Sequence, residues 1–228
     1  MSEQSVVTND QGKKLRPIET LVFLDLVPDH DNPIKTTKVN LLAMPRENFP
    51  KDSFVLAKLK PQDQVVLSLR DETDFDEKVL HVINAFIRRQ NPPVCLFSHY
   101  GNRYDFPLLK LKLNNENISL PDDVMCADSA YAFYDVRELE PDHYGNAVRA
   151  EFYEGNSRPE ESYKLWDLYE KYVMRDRADR ADRNNRDNDN TAAFFISMHL
   201  AKKILNWVDK KQRPFSDVEP TDLLYPKL

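Results

Sequence analysis

A short, uninterrupted apolar segment directly after an amphipathic helix most constrains the fold of this chain. The segment is "VCLFS" at 94–98, and the absence of polar alternation is typical of a central parallel strand that is covered on both faces. The stretch before it, 73–90, is predicted to be a helix that "NPP" ends. Thr73 and Asp76 can form a capping box at its start. Its apolar residues recur at helical spacing: Phe75, Val79, Val82, Ile83, Phe86 and Ile87.

The order of the other segments predicts a mixed α/β fold. Strands are predicted at 19–27, "ETLVFLDLV", and at 35–48, where Pro45 and the charges around it end the strand or mark a sheet edge. Helices and strands alternate in the rest of the chain. Strands first and alternating elements afterwards favour a mixed sheet flanked by helices.

The domain organisation follows from the segments without periodicity. A single domain is predicted at 19–220, with a flexible N-terminal tail at 1–18 and a C-terminal tail at 221–228. Within the domain, 138–161 carries Gly, Pro and Glu, and 175–190 is a low-complexity run of Arg, Asp and Asn. Both are predicted to be surface loops, because such compositions do not form a packed core.

Composition and charge restrict the function classes. The 228 residues carry a net charge of −6, which excludes a strongly basic nucleic-acid binder but not a local basic groove. No stretch approaches the ~18 apolar residues of a membrane helix, and the polar N-terminus lacks a signal-peptide core, so no membrane partner is expected. Cys95 and Cys126 are scattered, which favours buried reduced thiols and a cytoplasmic or nuclear location.

An acid inside an apolar strand suggests a functional site. Asp25 lies within "FLDLV", and burying a charge is costly unless the charge is paired or binds a metal. A second ligand on the same strand face would be at position 27, because side chains alternate along a strand. That position is Val27. Asp25 is therefore either a residual metal ligand or an acid that is paired or hydrogen-bonded at the strand end.

The segment at 83–113 is the most specific part of the chain. Its helix, strand and turn, with "SHYGNRYDFPLL" at the turn, closely resemble the second exonuclease motif of the three-prime repair exonuclease (TREX) branch of the DEDDh 3′→5′ exonucleases. "RYDFPLL" matches unchanged, whereas Tyr100 and Asn102 differ from that branch at two polar positions. "LVFLDL", "SYKLWDLYEKYV" and "WVDKKQRPFSDVEP" resemble other segments of the family in the same order, so the resemblance spans about 19–220. It implies a ribonuclease H-like fold, a mixed sheet of about five strands with helices on both faces.

The resemblance also implies a reaction and a set of residues for it. The family is understood to cleave a terminal phosphodiester with two divalent metals, which require several oxygen ligands held close together. Four carboxylates supply these ligands, and a histidine acts as general base. Asp25 and Asp105 match two of the carboxylates, and Val27 stands where the family has a glutamate.

The start of the last helices departs from the family pattern as well. When "AAFFISM" is aligned with the family, Asn190 falls on the fourth acid and Asn185 on the histidine. Asp187 and Asp189 are shifted candidates, but neither has a histidine five residues before it. Two of five catalytic positions therefore survive, and losing a general base alone costs about 10²–10⁴-fold in rate. Hydrolysis at a useful rate is not expected, and any Mg²⁺ or Mn²⁺ bound by the two surviving acids would be weakly held and not required.

Each remaining candidate also has a structural interpretation. Asp105 can be the N-cap of a helix that begins at Phe106. Arg103 can contact a phosphate or pair with an acid, and His99 can contact nucleic acid or serve as a structural hydrogen bonder before the turn. Three aromatic residues at helical spacing are predicted to be core rather than a base-stacking platform: Trp166, Tyr169 and Tyr172.

Two functions of different classes follow. The first is a catalytically degenerate TREX-like protein that binds single-stranded DNA or RNA ends or a protein partner, with the acidic charge slightly favouring the protein. The alternative is an active Mg²⁺-dependent 3′→5′ DNA exonuclease with Asp187 or Asp189 as an unorthodox ligand. Active TREX enzymes resemble one another in forming homodimers through a sheet edge, so a homodimer is expected through an edge strand at 36–46.

Overall fold

The structure of the chain is a computed structural model, and it describes residues 6–8, 14–28, 36–50, 63–69, 75–136, 165–173 and 189–220. The strands within these residues are β1 (Val7–Thr8), β2 (Lys14–Leu15), β3 (Thr20–Pro28), β4 (Thr36–Pro45), β5 (Asp63–Ser68), β6 (Val94–Ser98), β7 (Val124–Asp128) and β8 (Arg213–Pro214). The helices are α1 (Glu77–Arg88), α2 (Asp105–Asn115), α3 (Ser129–Asp135), α4 (Leu165–Tyr172), α5 (Asp189–His199) and α6 (Ala201–Lys211). Short 3₁₀ turns occupy Arg46–Asn48 and Phe215–Asp217.

Six strands form one mixed sheet in the order β5-β4-β3-β6-β7-β8. β3, β6 and β7 are parallel, whereas β4, β5 and β8 run antiparallel to their neighbours. The predicted mixed α/β fold and the central parallel strand at 94–98 are confirmed. The sheet has six strands among the described residues rather than about five, because the two-residue β8 adds to β7.

The segment predicted as the edge strand lies inside the sheet. β4 pairs with β3 on one side and with β5 on the other. The prediction that 36–46 forms the edge is therefore wrong. Pro45 and the charges near it end the strand, but they do not determine whether another strand pairs alongside it. β5 is the outermost strand on this side among the described residues, with burial that alternates between half-buried and exposed positions.

β3 contributes side chains to two separate cores. Phe23 packs with residues of α3 to α6, whereas Leu24 packs with residues of α1 and α2. The Phe23 ring makes edge contacts with Phe97 and Phe194, with ring centroids 5.7 and 5.6 Å apart. This burial on both faces explains why the strand is almost entirely apolar. Asp25 lies two residues after Phe23 and therefore on the same face as α5.

The predicted helix before β6 is confirmed, with a different start. α1 spans Glu77–Arg88, and the side chain of Asp76 caps it by accepting a hydrogen bond from the Val79 N–H at 3.1 Å. Thr73, the other half of the predicted capping box, lies outside the described residues. Asp76, one residue of the predicted pair, therefore caps the helix from the position directly before it.

The structure describes part of the predicted N-terminal tail but almost none of the predicted loops or the C-terminal tail. Part of the predicted tail at 1–18 is ordered into the ladder between β1 and β2, and Ile18 is buried in the core. The predicted loops at 138–161 and 175–190, apart from 189–190, and the tail at 221–228 lie outside the described residues. None of the described helices is long and apolar enough to cross a bilayer.

The predicted core role of the aromatic residues in α4 agrees with the structure at two positions. Tyr169 is buried in the same cluster as α5 and α6, and Trp166 packs against that cluster. Their rings contact each other edge-on, with centroids 5.4 Å apart. The side chain of Tyr172 lies outside the described residues.

A bidentate ion pair connects the turn after β4 to α6. The guanidinium of Arg46 donates to both carboxylate oxygens of Asp209, at 2.9 and 2.7 Å. Asp209 also accepts from the backbone N–H of Ile18 at 3.0 Å, and Arg46 donates to the Ile18 carbonyl at 2.9 Å. The Asp209 side chain is 7% exposed and that of Arg46 is 32% exposed. The hydrogen bond to Asp209 raises the pKa of Arg46 although burial opposes this.

Removing the cation of this pair should destabilise the fold. Arg46→Ala leaves a nearly buried carboxylate without its partner, and breaking a buried pair from one side costs about 3–5 kcal/mol. We expect the free energy of unfolding in urea to fall by about 3 kcal/mol, because Ile18 still donates one hydrogen bond to Asp209.

A matched arginine provides the control. Arg89 pairs with Asp63 at 3.3 Å, but its side chain is 73% exposed, and exposed pairs contribute about 0–1 kcal/mol. Arg89→Ala should therefore change the free energy of unfolding by less than about 1 kcal/mol. Equal losses in the two variants would contradict a special role for the Arg46–Asp209 pair.

Candidate functional site

The carboxyl ends of β3 and β6 meet the start of α2 at one buried acid. Asp105 is the first residue of α2 and is 4% exposed. One carboxylate oxygen accepts from the Leu26 N–H at 2.7 Å, and the other accepts from the Ser98 hydroxyl at 2.7 Å. The prediction that Asp105 caps a helix beginning at Phe106 is wrong, because its side chain reaches across to β3 and β6 instead. Asp105 thus joins three elements at the same end of the sheet.

The electrostatics of Asp105 reflect its burial and a neighbouring acid. Loss of contact with water raises the pKa of Asp105 well above its ordinary value, and the negative charge of Asp25 raises it further. The hydrogen bonds from Ser98 and Leu26 lower it without compensating. Two carboxyls close together in a poorly solvated site disfavour simultaneous ionisation unless a cation lies between them.

Asp25 is paired with an asparagine on the neighbouring strand. Asp25 is half-buried, and its Oδ2 accepts a hydrogen bond from Nδ2 of Asn40 at 2.8 Å. Asn40 faces Asp25 in the antiparallel register of β3 and β4 and is 1% exposed. Val27, two residues along the same strand face, is half-buried and offers only its backbone carbonyl, which accepts from the Thr37 hydroxyl at 3.2 Å.

The start of α5 lies beside the same strands. Asn190, the second residue of α5, is 2% exposed. Its Nδ2 donates to the carbonyl oxygens of Phe23 at 3.0 Å and of Asn40 at 2.7 Å. The structure therefore brings Asp25, Val27, Asp105 and Asn190 to one end of the sheet. Asn185 and Asp187 lie outside the described residues, as does the side chain of Asp189.

The turn after β6 is tightly built. Tyr100 has a φ of 60°, in the left-handed region that non-glycine residues rarely adopt. A Cβ on Gly101 would lie 2.6 Å from the Phe106 ring, so only glycine fits there. Nδ1 of His99 lies 3.0 Å from the Ser129 hydroxyl. His99 is thus in contact with α3, and its nucleic-acid role stays a prediction.

A buried aspartate on the next strand holds this turn. Asp128 ends β7, and its carboxylate accepts from the backbone N–H groups of Tyr100 at 3.1 Å, Asn102 at 3.0 Å and Ala130 at 2.9 Å. Arg213 of β8 donates to the Asn102 side chain at 2.9 Å. Burial raises the pKa of Asp128 to about 6, although the three N–H groups and Arg213 lower it. The strained turn is thus fixed from two neighbouring strands.

Arg103 is exposed within this fixed turn. It makes no ion pair with an acid of the described residues. The acid-pairing interpretation therefore has no support in the part of the chain that is described, and contact with a phosphate stays a prediction.

Sequence reasoning missed several residues that build the site. Asn40 sits within the apolar stretch "VNLLAM", and Asp128 ends the apolar run "VMCAD", so each gave the same signal as Asp25, a polar residue in a buried strand. Ser98 and Arg213 gave no such signal, because their roles depend on which strands are neighbours.

The donor set can be tested against the two metals that the resemblance implies. Within the described residues there is no group of three or more His, Cys, Asp or Glu side chains that could hold a metal ion. The two acids present at the site are Asp25 and Asp105, and Val27 has no side-chain oxygen. The buried Oδ1 of Asn40 has no hydrogen-bond partner among the described residues, but it is a neutral ligand. The described residues therefore do not fit a two-metal site, which needs several converging carboxylates.

A mixed sheet with three parallel strands, helices on both faces and polar side chains at the ends of β3 and β6 agrees with the ribonuclease H-like exonuclease fold that the resemblance implies. No protein-family model matches the chain. It is 29% identical over 199 residues to three prime repair exonuclease 2 of Homo sapiens. The aligned residues cover 85% of this chain and 77% of that protein. It is 28% identical over 233 residues to three prime repair exonuclease 2 of Mus musculus. This alignment covers 89% of this chain and 92% of the mouse protein.

A second group of relatives agrees with the first. Three-prime repair exonuclease 1 of Homo sapiens is 31% identical over 157 residues, which is 68% of this chain and 45% of that longer protein. The chain belongs to the three-prime repair exonuclease (TREX)-like proteins, and the predicted family is confirmed.

The raised pKa of Asp128 predicts a pH dependence of stability. The folded-state pKa of about 6 exceeds the unfolded value of about 3.9, so the folded protein binds this proton more tightly. The stabilisation is complete below about pH 4 and is lost as the pH rises through about 6, with a slope of at most about 1.4 kcal/mol per pH unit. Urea unfolding between these pH values should show a free energy of unfolding that falls as the pH rises.

Asp128→Asn separates this effect from other titrating groups. Its amide cannot titrate, so the variant should lose the part of the slope that belongs to Asp128. Its NH₂ would also face one of the backbone N–H groups, which should lower the free energy of unfolding by about 1–3 kcal/mol. Identical slopes in the two proteins would contradict the assignment.

Proposed function

We propose that this chain is a catalytically degenerate TREX-like protein that binds single-stranded nucleic-acid ends without hydrolysing them. One observation carries the proposal: Val27 and Asn190, which stand where the resemblance implies a glutamate and an aspartate, both lie at the site and bond to neighbouring strands. The scaffold around Asp105 keeps its connections to β3 and β6. The frame of the site thus persists with a reduced number of charged ligands.

The expected loss of activity follows from charge. Two metals between a phosphodiester and the protein need several carboxylates to offset their charge. Among the described residues of the site, Asp25 and Asp105 supply two negative charges at most, and burial together with the charge of Asp25 raises the pKa of Asp105. No histidine occurs between His143 and His199 in the sequence, so the family's general base has no counterpart at its expected place. Both deficits lower the rate, and the second alone accounts for about 10²–10⁴-fold.

The binding half of the proposal rests on the turn after β6. Asp128 accepts from two backbone N–H groups of the turn, and Arg213 donates to the side chain of Asn102, which places the exposed Arg103 in a preorganised position. A guanidinium suits phosphate oxygens because it offers several donors in one plane. The acidic net charge of −6 weakens non-specific attraction to a polyanion, so binding is expected to be moderate and local.

An end-labelled single-stranded DNA tests both halves in one gel. In millimolar Mg²⁺ or Mn²⁺ we expect the oligonucleotide to stay full-length, and a mobility shift that weakens with salt. Three prime repair exonuclease 2 of Homo sapiens serves as the active reference. Digestion that Asp105→Ala abolishes would contradict the proposal and favour the alternative, an exonuclease that uses Asp187 or Asp189. An intact oligonucleotide without a shift would instead favour a protein partner.

Two arginine variants locate the binding surface. Arg103→Ala should weaken binding about fivefold and reduce the salt slope by roughly 0.7, the value for one phosphate contact on a single strand. Arg88→Ala is the matched control, because Arg88 is an exposed arginine in the last turn of α1. α1 ends near the start of β6, opposite to the turn that follows β6. Equal effects of the two variants would exclude the turn as the contact site.

A homodimer is also proposed, with a corrected surface. β4 is paired on both sides, so the edge implied for a dimer is β5. A strand edge exposes backbone donors and acceptors that a second copy can pair with. Val66 on β5 is 47% exposed, and no lysine or arginine lies within β5 to discourage such pairing. The free, buried Cys95 and Cys126 support a reducing compartment, the cytoplasm or nucleus.

The mass in solution tests the dimer. Light scattering should give about twice the chain mass of 26.7 kDa for the unaltered protein. Val66→Lys should shift the mass towards the monomer, because a charge at an edge strand opposes pairing. Val82→Lys is the control: Val82 is 41% exposed on α1. A monomeric unaltered protein, or a dimer that survives Val66→Lys, would rule out this interface.

A further inference from the structure

A continuous set of hydrogen bonds from two asparagines links three elements at the site. Asn190 of α5 donates both protons of its amide, to the Phe23 carbonyl of β3 and the Asn40 carbonyl of β4. Asn40 in turn donates from its own amide to Asp25. Both asparagines are almost fully buried, at 2% and 1% exposure. We infer that these two amides hold α5, β4 and β3 together without a divalent cation, so that the site assembles independently of metal.

The geometry at Asn190 is specific to an amide. An NH₂ group has two protons, and the two carbonyl oxygens lie at 3.0 and 2.7 Å from Nδ2, so donors and acceptors match in number. A carboxylate has no proton to donate. In the same place it would bring its oxygens against two carbonyl oxygens with no proton between them, which is unfavourable. The side chain at 190 is therefore adapted to its protein partners, and a metal-binding acid would not fit this arrangement.

The amide of Asn40 has a corresponding effect on Asp25. A metal-bound carboxylate gains its stabilisation from the cation, whereas Oδ2 of Asp25 receives an N–H at 2.8 Å from Asn40. This is a charge-assisted hydrogen bond, which is stronger than one between neutral groups. The bonds to Asp105 alone would not distinguish the two cases, because metal-binding carboxylates are themselves hydrogen-bonded. The same holds for the bond from Asn40 to Asp25, so Asn190 is the residue that distinguishes the two cases.

The inference goes beyond the proposed function and does not depend on it. A protein without nuclease activity can still require a structural cation, and a protein that binds no nucleic acid can still assemble this site from amides. Thermal unfolding measures the assembly directly and involves no substrate. A failure here therefore differs from a failure in the oligonucleotide assay.

Thermal unfolding of the unaltered protein in EDTA and in excess Mg²⁺ or Mn²⁺ tests the inference. We expect the two melting temperatures to agree within about 1 °C. A cation that binds the folded state and is present at about 100 times its dissociation constant would instead raise the melting temperature by roughly 5–10 °C. A rise of that size would overturn the inference, and this measurement needs no variant to fold.

Asn190→Asp and Asn190→Ala test the role of the amide. Asn190→Ala loses two buried hydrogen bonds and should lower the melting temperature in EDTA by about 4–8 °C. Asn190→Asp should lower it further, because the introduced carboxylate faces two carbonyls. Asn206→Asp makes the same chemical change at an exposed position of α6 and should shift the melting temperature by less than about 2 °C. An Asn190→Asp protein as stable in EDTA as the unaltered chain would show that the amide is not the cross-link.

Discussion

The parallel pairing of β3 with β6 determines where the two acids of the site lie. The register runs from Thr20 opposite Val94 to Phe23 opposite Phe97, so both strands end at the same side of the sheet. Asp105 at the start of α2 can therefore reach the Leu26 N–H and the Ser98 hydroxyl at once. Such pairing is stable only when both faces are covered, which α1 and α2 achieve on one side and α3 to α6 on the other.

Much of this arrangement could be predicted from local patterns in the sequence. The helical spacing before β6, the apolar run of β6 and the acid within β3 are each visible within about ten to eighteen residues, which is the range of periodicity arguments. Asp25 and Asp105 also follow from motif resemblance, and they do lie together. Local patterns place each motif on its strand reliably, but they do not determine how many strands surround it.

The remainder depends on contacts between distant parts of the chain. Asn190 bonds to Phe23 and Asn40 across 167 and 150 residues, and no local pattern encodes its two carbonyl partners. The prediction of 36–46 as the edge strand is wrong for a related reason. A strand lies at an edge only when no further strand pairs alongside it, and β5 pairs with β4. Asp105 resembled a helix cap in the sequence, but the buried donors of β3 and β6 compete for its carboxylate and are the ones it contacts.

The neutral residues Val27, Asn40 and Asn190 limit the negative charge at the site. A cluster of acids at the end of a sheet is stable only when cations offset its charge. Here Val27 and Asn190 stand where the resemblance implies two further acids, and Asn40 donates to Asp25, one of the two acids present. Residues that serve catalysis are often unfavourable for stability. Both kinds of group occur at this site: the amide of Asn190 has two protein acceptors, whereas burial and the neighbouring Asp25 raise the pKa of Asp105.

The contacts of Asp209 can form only late in the synthesis of the chain. Asp209 bonds to the backbone of Ile18, 191 residues earlier. At a synthesis rate of about 5–20 residues per second, roughly 10–40 s separate the appearance of these two residues from the ribosome. During that interval β3 has β4 as a local antiparallel partner, while the face that receives α5 and α6 stays uncovered. Part of this apolar sheet face therefore stays uncovered until α5 and α6 have been made, late in synthesis.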